Sequence, residues 1–224
     1  MFVDPKKTLV DIAYEKIFQD IITFKFKPGM RLEEKTLMDI FEIGRTPIRE
    51  ALMRLETAMI VESQSGKGFI VKPVTLQSTK STFETLLILE NGVVDLAMKR
   101  NLKPYLEPMV QANMEIEEAA ELFDVLKMVE KNHLFHEKYA ACSENEYLIH
   151  GLIAVRCEAR RLAFLSYGES LDDQKSLKKH YKNVISEHNE MIKYLGNKDA
   201  DSLKKVIKNH IQAFKGRVIN YLME

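Results

Sequence analysis

The chain has 224 residues, 46% of them apolar, and its 33 Lys+Arg balance 33 Asp+Glu for a formal net charge of zero. That length holds one large domain or two small ones, and only 9 Gly and 6 Pro favour a mostly helical protein. No run of about 18 apolar residues exists to span a membrane, and the N-terminal MFVDPKKTLVDIAYEKIF lacks an apolar signal core, so a cytoplasmic protein is expected.

Residues 8–24 carry apolar side chains at Leu9, Ile12, Ala13, Ile17, Ile21 and Ile22, a helical period. Lys27-Pro28-Gly29 breaks it. A second helix is predicted over about 34–41, with Leu37, Ile40 and Phe41 on one side, and Glu42-Ile43-Gly44 as the turn. A third starts near Thr46 as its cap, with Pro47 at the first helical position, where a missing N–H costs nothing. There Ile48, Ala51, Leu52 and Leu55 follow the i, i+3, i+4, i+7 rule and face the core. Thr46, Arg49 and Met53 then share an exposed face, and Arg45 stands just before the cap. The planar arginine fork matches both major-groove acceptors of guanine.

Residues 60–63 and 69–72 read as two short strands joined by Gln64-Ser65-Gly66-Lys67-Gly68. Glycines there allow positive φ and close backbone approach, and Lys67 suits a phosphate or the minor groove. Residues 1–75 hold 12 basic against 11 acidic side chains, so no basic stripe supplies bulk attraction to nucleic acid. The expectation of DNA reading rests on where a few arginines sit.

After Val74 the character changes. Residues 75–81 form a polar connector, and 82–224 a helical bundle of about six helices: about 77–101, 104–121, 123–142, 145–168, 173–195 and 200–223. Cys142 and Cys157 lack metal or redox spacing and are expected as reduced core thiols. Asn132 and His136 lie at i and i+4 on one helical face. His188 and His210 lie on two helices joined by a turn at 196–199, so an antiparallel pair brings them near one level. Three imidazoles and one oxygen suit a divalent transition metal, Zn, Ni or Mn, with positions open for a ligand. On spacing alone, hydrogen-bonded core histidines are the competing reading.

PGMRLEEKTL, RTPIREALMRLE and KGFIVKP together resemble the winged helix-turn-helix of the GntR family of bacterial transcriptional regulators. The resemblance implies DNA contacts from Arg45, Thr46, Arg49 and Gly68, and a phosphate contact from Arg54. Departures are Met38 for a small alanine, Glu42 for the turn glycine, Gly44 for a serine, and Met59 for a glycine after the recognition helix. The second domain resembles the FCD effector domain of the FadR-type branch. The shared pattern is D-x-x-x-H and then one histidine on each of the last two helices, here in FHEKYAAC, SEHNEMI and KNHIQAF. It implies a metal on Asn132, His136, His188 and His210, with His133, His150 and His180 outside the set. Asn132 replaces the usual aspartate, and Leu86 stands where an arginine that grips a carboxylate is common; Arg156, Arg160 or Arg161 can substitute.

The resemblance implies a homodimeric repressor on a near-palindromic operator, with a small organic acid as effector shifting the placement of the two DNA-binding domains. Two alternatives stay open: a metal-sensing or metal-dependent enzymatic bundle, and a dimeric regulator that needs no effector. No hydrolytic metal motif, nucleophile elbow or phosphate loop supports catalysis.

Overall fold

The computed structural model describes residues 7–64, 68–167 and 174–223, and the chain divides into two units, Met1–Thr75 and Leu76–Glu224. In the first, local capping chemistry sets the helix starts. Thr8 and Asp11 form a capping box at the head of α1 (Leu9–Ile22): the Thr8 hydroxyl accepts from the Asp11 amide at 3.2 Å, and the Asp11 carboxylate from the Thr8 amide at 3.0 Å. The helix buries Ala13, Ile17, Phe18, Ile21 and Ile22. In α2 (Glu34–Phe41) Leu37 is buried, but Ile40, expected beside it, is exposed.

Helix α3 runs Arg45–Thr57 and begins earlier than expected. Gly44, not Thr46, is the N-cap; its backbone is extended and its carbonyl accepts from the Ile48 amide at 3.3 Å. Thr46 makes no cap bond, and Pro47 still falls in the first turn, where amides have no helical acceptor. The apolar stripe Ile48, Ala51, Leu52 and Leu55 is fully buried, as its period requires.

Three antiparallel strands, β1 (Arg31–Leu32), β2 (Val61–Gln64) and β3 (Gly68–Val71), form a sheet in the order β1-β3-β2. Two residues are too short to show alternation, which is why β1 is invisible in the sequence. Gln64 pairs with Gly68, and Leu32 with Phe69. Gly68 has φ +76° and a Cβ there would lie 3.5 Å from the Leu32 carbonyl oxygen, so the position favours glycine. Glu56 accepts from the Ser63 amide at 2.9 Å and so ties α3 to β2.

Two of the departures from the GntR pattern sit in left-handed backbone: Glu42 at φ 56° and Met59 at φ 60°. Such residues carry about 1–2 kcal/mol of steric cost that glycine avoids. Met59 is 66% exposed, so little packing is lost on truncation. Met59→Gly is expected to stabilise the protein by about 1 kcal/mol, read as a higher midpoint in urea unfolding; a lower midpoint would contradict the strain.

The second unit consists of α4 (Leu76–Ala97), α5 (Lys103–Glu121), α6 (Val125–Ala141), α7 (Glu146–Tyr167), α8 (Gln174–Gly196) and α9 (Ala200–Met223). Residues 76–81, expected as connector, are the first turns of α4. Their hydroxyls survive in a helix by bonding back one turn. Ser81 donates to the Gln77 carbonyl at 3.1 Å and Thr82 to that of Ser78 at 2.9 Å, while Thr79 is buried. Helix α5 packs on α6 and α8, α4 on α7 and α9, and α8 on α9. The Lys198 ammonium, in the turn between α8 and α9, donates to the Ala97 and Met98 carbonyls at 3.2 and 3.0 Å, and also to that of Arg100. A cation at the end of α4 complements its dipole and anchors that turn.

Cys142 and Cys157 are buried and form no disulfide, and burial pushes the Cys142 thiol up to about 12, so it is inert at neutral pH. Among the described residues no helix is long and apolar enough to cross a membrane.

Candidate nucleic-acid interface and metal centre

Burial of one face of α3 leaves the other to solvent. Arg45 and Arg49 are 72% and 64% exposed, with Thr46 exposed between them. Glu34, from the first turn of α2, reaches both arginines: Oε2 is 2.7 Å from Arg45 Nε and Oε1 is 3.9 Å from Arg49 Nε. The sequence reading did not single out Glu34. Arg54, expected on a phosphate, is held at 2.8 Å by Asp11 of α1. Donation from the Thr8 hydroxyl and amide, with Arg54 beside it, brings the Asp11 carboxyl down to about 2. Gly68 heads β3 at the wing, and Lys67 lies outside the described residues.

In the second unit His136 of α6, His188 of α8 and His210 of α9 meet in the interior, with ligand atoms all within 4.8 Å of one another. The tight turn at Lys198 makes α8 and α9 antiparallel, which places His188 and His210 with ring centroids 5.0 Å apart. Phe135 stacks flat on the His188 ring at 3.7 Å and limits its rotation.

Each imidazole turns Nδ1 toward an oxygen on a neighbouring helix. Asn113 donates from its amide nitrogen to the Ile185 carbonyl and the Asn189 side chain, so its oxygen is the atom facing His188 Nδ1 at 3.0 Å. His188 Nδ1 therefore carries the proton and donates. His210 Nδ1 likewise donates to the Glu187 carboxylate at 2.7 Å. His136 Nδ1 lies 3.6 Å from Glu90, beyond hydrogen-bond range. The Nε2 atoms remain for a shared ligand, in the tautomer a metal requires.

Burial pushes the pKa values of His136 and His188 well below 6.5, and the neighbouring His210 adds to the shift in both. Both rings are neutral at pH 7 and need lose no proton to bind an ion. Among the described residues His136 Nε2, His188 Nε2 and Asn132 Oδ1 are buried and without a hydrogen-bond partner. Each such orphan costs about 1–3 kcal/mol unless something satisfies it. Three converging imidazoles, two of them with Nδ1 bonded to an outer oxygen, are a donor set that fits a divalent transition metal.

Asn132, one turn before His136, lines a cleft together with Leu86, Arg156, Tyr181, Glu187 and His210, among others. Its enclosed space is about 20 Å³, room for roughly one water. Arg156 lines this cleft, but its guanidinium is bound to Glu90, which is fully buried. Burial pushes the Arg156 guanidinium well below its usual range. Arg160 does not line the cleft. Outside the cluster His133 is buried against Glu137, His150 is exposed, and His180 bonds the Tyr167 hydroxyl at 3.0 Å.

Glu90, Asn113 and Glu187 also escaped the sequence reading. A signal existed for the first two. Glu90 falls among Phe83, Leu86, Val93 and Ala97, and Asn113 among Met109, Ala112 and Ile116, each a polar residue on a buried stripe. Nothing marks Glu187.

Residues 9–71 match the bacterial regulatory proteins of the gntR family, and residues 81–213 match the FCD domain. The chain is 26% identical over 203 residues to the Nta operon transcriptional regulator of Aminobacter aminovorans, covering 90% of each. It is 24% identical over 141 residues to the gluconate operon transcriptional repressor of Bacillus subtilis, covering 63% of this chain and 57% of that one. Its fold resembles that of E. coli McbR/YncC with a TM-score of 0.81 and 19% identity, covering 96% and 98% of the two chains. The two matched segments fall on the arginine-headed helix with its wing and on the histidine-bearing bundle, and the chain belongs to the GntR family, in its FadR-type branch: a transcriptional regulator, not an enzyme, with a GntR DNA-binding domain followed by an FCD effector domain.

Proposed function

We propose that this regulator is a cytoplasmic, homodimeric repressor of a near-palindromic operator, whose bundle holds a divalent metal and a small organic acid. The observation that carries the metal is the convergence of His136, His188 and His210 with unpartnered Nε2 atoms on His136 and His188. Asn132 Oδ1, one helical turn before His136, is also buried and lacks a partner. A divalent ion there offers coordination positions to a carboxylate. Arg156 is the cation at the cleft for the remaining carboxylate charge, provided it leaves Glu90. Repression draws support from the gluconate operon repressor, and dimerisation from the two-fold symmetry that such operators share with their proteins.

Arg49→Ala tests the DNA side. Against a duplex selected by the wild-type protein from a random pool, it is expected to cost about 1–3 kcal/mol and relax base preference, measured by fluorescence anisotropy at fixed salt. Unchanged affinity would refute the assignment of α3. The small enclosed volume favours a second reading, in which the metal is structural and no organic guest enters. A panel of mono-, di- and tricarboxylates titrated into the metal-loaded protein separates the two, since only the first reading predicts a shift in operator affinity.

A further inference from the structure

The DNA-reading arginines are not free side chains in this protein. Glu34 lies near both: it accepts a hydrogen bond from Arg45 Nε at 2.7 Å, and its other oxygen forms a looser ion pair with Arg49, 3.9 Å from Nε. Its side chain is only 21% exposed while the arginines are 72% and 64% exposed, so the carboxylate is the fixed member of the trio. Its place is secured by α2, where an anion in the first turn is favoured by the helix dipole. The hydrogen bond from Arg45 runs through Nε, which leaves its two terminal nitrogens for a base edge, and the looser pair leaves the whole Arg49 fork available.

Two consequences follow from charge. Arg45 and Arg49 sit one turn apart and repel, and the shared carboxylate offsets that repulsion while narrowing their rotamers. It also cancels one of their two charges. Non-specific affinity comes from cations that neutralise phosphates, each contributing about 0.9 to the slope of log K against log salt. In residues 1–75 the basic excess is only one, so a single carboxylate is a large fraction of the attraction to arbitrary DNA.

We propose that Glu34 is a positioning residue for sequence readout: it presents Arg45 and Arg49 in one geometry and withholds their charge from arbitrary phosphates, so that specific binding exceeds non-specific binding by a wider margin. Orientation serves the operator, where the base edges lie where the forks already point. Charge cancellation penalises every other sequence.

Glu34→Gln and Glu34→Asp in the full chain test this, with anisotropy on the duplex selected by the wild type and on a scrambled duplex over a range of salt. Glu34→Gln removes the charge at constant size. It is expected to bind the scrambled duplex several-fold more tightly, steepen its salt slope by about 0.9, and lower the ratio of specific to non-specific affinity by about tenfold. Glu34→Asp keeps the charge and shortens the reach. Its affinity for the scrambled duplex should stay near wild type while that for the selected duplex falls. An unchanged ratio in Glu34→Gln would overturn the proposal. So would an equal loss on both duplexes with a lowered melting temperature, which marks a merely structural bridge. A changed preference at one base position with unaltered scrambled-duplex binding would also overturn it, since Glu34 would then read a base itself.

Discussion

Arg156→Met is expected to destabilise the protein by about 3–5 kcal/mol, because it strands a carboxylate in the interior. Glu90 is fully buried, its one charged partner among the described residues is Arg156, and its Oε2 already lacks a hydrogen bond. A buried carboxylate without its cation takes up a proton more readily than in the unfolded chain. In the variant its folded pKa is therefore raised. Stability is retained below the unfolded carboxyl pKa, near 4.3, and lost as pH rises toward the new folded value. The deficit against wild type should thus be larger at pH 8 than at pH 5 in urea unfolding. Adding Glu90→Gln to Arg156→Met removes the stranded charge and should recover most of the loss. A small, pH-independent deficit in the single variant would show that Glu90 is solvated or otherwise paired.

Metal binding is expected to stabilise the wild type by about 4 kcal/mol when the free ion exceeds its dissociation constant a thousandfold, which for a chain of this size raises the melting temperature by roughly 10 °C. His136→Ala and His188→Ala should each abolish that gain and the bound metal together, as one ligand is lost from a set of three converging nitrogens. Elemental analysis and melting with zinc, nickel or manganese give both readouts. Equal melting of wild type with and without each ion would rule the site out.

Acid sharpens the test. Burial holds the folded pKa of His136 and His188 below 6.5, so the unfolded chain binds protons first as pH falls. Chelator-treated protein should therefore be at full stability above about pH 6.5. Below it, stability should be lost at up to about 1.4 kcal/mol per pH unit for each ring, until the folded values are reached. The metal-loaded protein should lose more over the same range, because protons also compete for the ligands.

What the chain determined locally was legible in its residues. The capping box at Thr8, the stripe Ile48, Ala51, Leu52 and Leu55, and the break at Lys27-Pro28-Gly29 act within a turn or two, so period and caps place α1 to α3 to within a few residues. The pairing of His136 with His188 and His210 was legible only as spacing plus an assumed antiparallel turn. The exceptions are instructive. Residues 76–81 read as connector because serine and threonine compete with helices, yet Ser81 and Thr82 bond back into α4 and Thr79 is buried there. The start of α3 was misplaced because Gly44 caps with its backbone, which no side chain advertises.

Tertiary structure alone decided the surroundings of both sites. Glu34 lies 11 residues from Arg45, Glu90 lies 66 from Arg156, and Asn113 lies 75 from His188. Such pairings have no period to betray them, because they depend on which helices pack and at what level. The candidate site residues, Arg45, Arg49 and the three histidines, could be named from the chain. The residues that set their charge, tautomer and orientation were chosen by the packing of one helix against another.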